Sequence, residues 1–205
     1  MNGNNERLIA RLRRKDSDAV QEIVDRFAPQ IYRLAFGITR SPMEAQDVTQ
    51  DVFITVIRRI EDFRGKSSIQ TWIYRIAVNA SLDRVRAIQR RKESMGIDEY
   101  LPTFTSEGKI ADELVDWSEE PLDHLLSEEA LLKIQEGIEA LPEELRVALV
   151  MKDVEGFPLK EIADILELSL PAVKSRVHRA RLALRGILSH YFGEKARQES
   201  HEKTG

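Results

Sequence analysis

Three groups of polar side chains in this 205-residue sequence stand at spacings that suit recognition rather than bond-making. Asp47, Gln50 and Asp51 fall at i, i+3 and i+4, so on a helix they share one flank. Two carboxylates four residues apart repel by about 0.2–0.5 kcal/mol in an isolated helix. A solvated face has no need of that arrangement, whereas a basic partner surface would use it. Arg75, Asn79 and Arg86, separated by four and seven, place guanidinium groups around an amide on a second flank. Guanidinium groups hold phosphates and an amide reads a base edge. Lys174, Ser175, Arg176, His178 and Arg179 make a third group, opposite or beside an apolar stripe of Val173, Val177, Ala180 and Leu184. As an isolated run it would only solvate a face; on the second helix of a helix-turn-helix it would enter a DNA groove.

Nothing in the sequence assembles a catalytic centre. The histidines, His124, His178, His190 and His201, have no metal-ligand spacing. The chain has no cysteine, which excludes disulfides, thiolate metal sites and a cysteine nucleophile and fits a reducing cytoplasm. No phosphate-binding glycine loop and no nucleophile elbow is present. No enzyme activity, catalytic residue, metal or cofactor is therefore expected. There is no signal peptide and no run of apolar residues long enough for a membrane span, so no direct membrane insertion is expected.

The elements that must hold these groups are helical. Aromatics are only 6% of the chain and alternating Val/Ile strands are missing, while Leu, Ala, Glu and Arg recur at helical spacing. The expected fold is all-α, with an N-terminal helical bundle and a C-terminal helix-turn-helix joined by a flexible acidic linker. Ser41, Pro42 and Glu44 form a capping box for a helix carrying Val48, Val52, Phe53, Val56, Ile57 and Ile60 on its apolar side. A short basic loop, 63–68, leads to a second helix expected to open at Ser67, with Ile69, Trp72, Ile73, Ile76 and Ala80 on one stripe. Upstream, a short helix over 6–15 carries Leu8, Ile9 and Leu12. The next starts at Asp18 and should bend or divide at Pro29.

Charge segregates along the chain despite a net charge of only −4. Basic clusters at 84–92 and 174–185 flank an acidic stretch over 93–129 whose only Lys or Arg is Lys109. Local basic patches, not net charge, set phosphate affinity. The periodicity fails from 93 to about 120, which predicts a linker with at most a helical turn near 110–115. Helices then resume near 127, and a short helix over 159–166, a turn at 167–169 and a long helix to about Leu188 give helix-turn-helix order.

DVTQDVF at 47–53, FRGKSSIQTWIYRIAVN at 63–79 and VKSRVHRAR at 173–181 resemble the extracytoplasmic-function (group IV) sigma factors of bacterial RNA polymerase. The likeness runs from about residue 18 to 188. It implies a region 2-like domain over 1–92 that binds core polymerase and the −10 element, an acidic linker over 93–126, a region 4-like helix-turn-helix over 127–192 that binds the −35 element, and a polar tail over 193–205. Asp47, Gln50 and Asp51 would contact the β′ clamp helices. Arg64, Gly65, Lys66, Ser67, Ser68, Arg75, Asn79 and Arg86 would meet the −10 element, where strand opening captures an unstacked base. Lys174, Ser175, Arg176, His178 and Arg179 would meet the −35 element.

The partners implied by the resemblance are core RNA polymerase (β′ clamp helices and β subunit), promoter DNA and an anti-sigma factor, all in the cytoplasm. An operator-binding regulator would explain the last helices but leave the Asp47/Gln50/Asp51 flank idle. Trp72, on the apolar stripe, is expected in the core rather than against a base; Phe63 and Tyr74 fit either role. The chain departs from the family pattern at Pro158, where a capping Ser or Thr is usual. It departs again at Glu167, where a turn glycine is usual, and a left-handed turn strains any residue with a Cβ.

Overall fold

The structure is a computed structural model that describes residues 3–94 and 128–202, with side chains described for 5–90 and 131–189. Every regular element among the described residues is helical. No helix among them is long and apolar enough to cross a membrane. The expected acidic linker, with its turn near 110–115, lies outside the described residues from 95 onward.

Helix α1 (Gly3–Arg13) buries Leu8, Ile9 and Leu12. Helix α2 (Ser17–Thr39) is capped by Asp16, whose carboxylate accepts from the amides of Asp18 and Ala19 at 2.9 and 3.0 Å. The cap thus falls before the expected start at Asp18. The reason is tertiary: Arg11 of α1 donates to the Asp16 carboxylate through Nε at 3.1 Å and so fixes it over the helix end. Pro29, expected to bend or divide this segment, sits inside one helix. Phe27 and Ile31 on either side are sealed in the core, which holds the helix together across the missing N–H.

Helix α3 (Pro42–Arg59) begins as the capping residues predict, with the Ser41 hydroxyl accepting from the Glu44 amide at 3.3 Å. It ends in a 3₁₀ turn, Ile60–Asp62. Helix α4 (Ile69–Ser94) is capped by Ser68, not Ser67: the Ser68 hydroxyl accepts from the Thr71 amide at 3.0 Å. Burial of Ile69 sets this one-residue difference, since it brings Ile69 and Ile73 onto the core side. The chain continues through α5 (Glu128–Ala140), α6 (Glu143–Leu149), a π-helical segment (Val150–Val154), α7 (Leu159–Leu166) and α8 (Leu170–Glu202). Helix α8 runs well past Leu188 because Glu, Lys, Ala, Arg and Gln, all good helix formers, follow.

The described residues fall into two compact units, one drawn from Met1–Asp98 and Val150–Lys174, the other from Glu99–Leu149 and Ser175–Gly205. In the first, α4 packs on α2, α3 and α7. Its core contains Ile23, Phe27, Ile31, Leu34, Val52, Val56, Ile73, Tyr74, Ala77 and Ile162. Each fully buried Val, Ile, Leu or Phe contributes roughly 1.5–3 kcal/mol relative to exposure. In the second unit α5 lies close on α8, for a Cβ on Gly137 would stand 2.7 Å from Leu184 Cδ1.

Ser41→Ala should lower stability by about 1 kcal/mol through the lost cap, measured by urea denaturation. A second expectation concerns acid. The Arg11 hydrogen bond, then the Ala19 amide, hold the Asp16 carboxyl below the usual aspartate range. Its contribution is present above the ordinary value of about 3.9 and is lost as pH falls through the lowered folded value. Asp16→Asn keeps an amide acceptor but should flatten this part of the acid limb in denaturation midpoints taken against pH.

Candidate nucleic-acid interface and acidic docking face

Helix α3 turns Val48, Val52, Phe53 and Val56 inward and leaves Asp47, Gln50 and Asp51 exposed on the opposite side. The three share a face, but they are not electrostatically alike. Arg84 of α4 donates through Nε to Glu44 and through Nη2 to Asp47. Its pairing with Glu44, above all, raises the guanidinium above its ordinary pKa. Asp51 has no ion-pair partner among the described residues. Two apolar side chains bracket this row, Met43 at 69% and Ile54 at 45% exposure. Neither stood out in the sequence as exposed, because an isolated Met or Ile in a helical pattern reads as core.

The loop between α3 and α4 is pinned at its start. Phe63 is buried and stacks at a tilt on Trp72, with ring centroids 5.4 Å apart, while the Phe63 carbonyl accepts from Arg13 at 2.8 Å. Gly65 takes the left-handed conformation (φ 72°) that lets the loop turn back. Arg64, Lys66 and Ser68 are exposed, Gly65 and Ser67 half-buried. Trp72 is half-buried against Phe63 and Tyr74 is 1% exposed, so Phe63 and Tyr74 both belong to the core.

On α4 the expected basic flank divides. Asn79 and Arg86 are exposed, and Arg86 stands 3.9 Å from Asp83. Arg75 is half-buried, and each of its three guanidinium nitrogens has an acceptor. Its Nη2 donates to the Asp164 carbonyl at 2.6 Å, Nε to the Ile165 carbonyl at 3.3 Å, and Nη1 pairs with the Glu167 carboxylate at 2.7 Å. The carbonyls belong to the last turn of α7, where intrahelical donors run out and a cation is favoured. Glu167 itself adopts the left-handed conformation, φ 55° and ψ 41°, as the C-cap of α7. At the other end Pro158 is the N-cap and offers no side-chain cap.

Beside Arg75, Tyr74 packs edge-on against Phe27 at 6.2 Å and Phe157 at 4.9 Å, and its hydroxyl donates to Gln30 Oε1. Gln70 donates to Glu161 at 3.3 Å, and Arg33 pairs with Glu155 at 3.2 Å. Burial, then the charge on Asp164, raise the Glu161 carboxyl pKa.

Helix α8 carries its polar row as its periodicity predicts. Val173, Val177 and Ala180 are buried, Leu184 is half-buried, and Lys174, Ser175, His178 and Arg179 are exposed. Arg176, at the edge, is half-buried and bound at 2.9 Å by Glu144 at the start of α6. Among the described residues no cluster of His, Asp or Glu could hold a metal ion.

Comparison with known proteins places both halves of the chain. The family model for Sigma-70 region 2 matches residues 23–91, and that for Sigma-70, region 4 matches residues 131–184. The chain is 33% identical over 177 residues to the ECF RNA polymerase sigma factor SigW of Bacillus subtilis, covering 86% of this chain and 92% of that protein. It is 33% identical over 178 residues to the ECF RNA polymerase sigma-E factor of Escherichia coli, covering 86% and 90%. Among solved structures, CnrH in complex with the cytosolic domain of CnrY aligns with a TM-score of 0.62 at 21% identity, covering 90% of this chain and 96% of that one. The sigma factor RpoE in complex with the anti-sigma factor NepR, from Bartonella quintana, aligns at 0.55 and 19% identity, covering 82% and 95%.

Tyr74 supplies a check on this geometry. Burial, then the charges of Glu161 and Glu155, push its phenol up to about 12. The raised value favours the folded state fully below the ordinary tyrosine value of about 10, and that contribution is lost between there and about 12. Alkaline absorbance titration of the wild type minus Tyr74→Phe should show one phenol ionising at about 12. A difference curve centred near 10 would place Tyr74 in solvent.

Proposed function

The chain belongs to the extracytoplasmic-function sigma factors of the sigma-70 family, and on that premise we propose how its faces divide the work of promoter-specific initiation. Residues 1–92 act as the region 2-like part and 127–192 as the region 4-like part. The acidic face of α3 docks on the β′ clamp helices of core RNA polymerase. Asp51 and Gln50 make the polar contacts, Asp47 joins them while held by Arg84, and Met43 and Ile54 close the rim against water. Charge complementarity of this kind sets encounter rate and register more than raw affinity.

The loop residues Arg64, Gly65, Lys66, Ser67 and Ser68, with Arg75, Asn79 and Arg86 on α4, receive the −10 element. Extruding a base costs a few kcal/mol, which contacts to the flipped base and its phosphates offset. With Phe63 and Tyr74 in the core, capture falls to the exposed loop and α4 rather than to those two rings. Lys174, Ser175, His178 and Arg179 enter the −35 major groove, and Arg176 stands at its edge. An anti-sigma factor restrains the protein, as NepR binds RpoE in the structure compared above.

The observation that carries this assignment is the α8 row: four exposed polar residues opposite or beside a buried stripe, on the second helix after a tight turn. The linker has the reach for both elements, because about 35 extended residues span up to about 115 Å.

Run-off transcription with purified core polymerase is the direct test, since a sigma factor confers promoter-specific starts and an operator-binding regulator does not. Asp51→Arg should keep the fold and weaken core-polymerase capture about tenfold or more, a loss of about 1.4 kcal/mol or greater. Unchanged pull-down would refute the docking face. Arg179→Ala should cost about 1–3 kcal/mol on the −35 element by band shift if it reads a base. Equal loss on every DNA sequence would make it a phosphate contact instead.

A further inference from the structure

We infer that the end of α7 and Glu167 serve as an internal substitute for the −10 strand, occupying Arg75 until the protein is engaged on a promoter. This rests on the assignment of Arg75 to the −10 contact. All three guanidinium nitrogens are engaged, by two helix-end carbonyls and one carboxylate, an oxygen-rich set like that of a phosphate. The arrangement extends beyond one pair. Glu155 faces Arg33 and Glu161 faces Gln70, so one segment presents acids to basic or amide side chains on α2 and α4. The Glu155 side chain is only 6% exposed where it pairs. Apolar contact backs the charges, with Phe157 edge-on to Tyr74 at 4.9 Å.

Glu167 itself is the strongest indication. Position 167 is left-handed, where glycine is free of strain and glutamate is not, yet the residue present is the one whose carboxylate reaches Arg75 at 2.7 Å. A turn that needed only its shape would favour glycine. Asn79 and the loop at 64–68 are not covered in this way, so the block falls on Arg75 between them and leaves a foothold on either side.

The test uses the full chain free of polymerase. Glu167→Gly retains the left-handed turn and removes the carboxylate. Gly37→Leu leaves both partners intact but drives the covering segment away, because even a Cβ at Gly37 would stand 2.5 Å from Val150 Cγ1. The chain has no cysteine, so spin labels at Gln89→Cys and Lys160→Cys report the separation cleanly.

Both variants should lengthen the label distance. Both should also raise affinity for a short random-sequence fluorescent single-stranded DNA, by up to about fivefold for the loss of a half-exposed ion pair. The Glu167→Gly gain should vanish in an Arg75→Ala background. Longer distances with unchanged DNA affinity, or unchanged distances in both variants, overturn the inference. Failure of the underlying assignment looks different: Arg75→Ala would leave holoenzyme run-off transcription intact, while the label distances would still respond to Glu167→Gly.

Discussion

Helix α4 is buried on several sides at once, and that constraint governs what the other elements do. It must satisfy α2, α3 and α7 with one 26-residue helix, so its core surface is broader than a single stripe. Ile73, Ala77 and Ser81 are sealed along one line, Tyr74 and Val78 along the next. Tyr74 bridges the two regimes, with an apolar ring between Phe27 and Phe157 and a hydroxyl held by Gln30. An aromatic with a polar tip suits such a place because the ring fills volume and the hydroxyl still finds an acceptor. What remains exposed is the narrow strip of α4 that no neighbour covers.

The arginines show how strictly that strip is shared. Arg84 ties α4 to α3 through Glu44 and Asp47, Arg75 closes the carbonyl end of α7, and Arg176 is held by Glu144. All three are forked, planar donors in positions where several oxygens converge, a role for which lysine is poorly shaped. By contrast Arg64, Lys66, Lys174 and Arg179 project outward. Charged side chains in this protein therefore divide into those that fasten elements together and those left exposed, and the two kinds are interleaved on the same helices.

Glu167 is the position where local preference and tertiary demand diverge most plainly. The turn between α7 and α8 puts residue 167 in the left-handed region, where a side chain costs of order 1–3 kcal/mol. The strain is tolerated where surrounding contacts over-determine the conformation, and here an ion pair and a capped helix end both do so. Local departures from propensity that persist in this way mark places where a side chain has a task beyond the turn itself.

Local periodicity was enough to determine the all-α class, the Ser41 cap, the exposed row on α3 and the orientation of α8. Each depends only on residues within a turn or two of one another, and helix geometry converts spacing directly into direction. The same spacing was silent about which exposed cations were already engaged. Arg84 meets acids 37 and 40 positions away, and Arg75 meets carbonyls 89 and 90 positions away, so no window along the chain contains both partners. Cap choice at Asp16 and Ser68, and the burial of Phe63 and Tyr74, were decided the same way. Neighbouring residues of similar capping or packing ability were separated only by what a distant helix placed beside them.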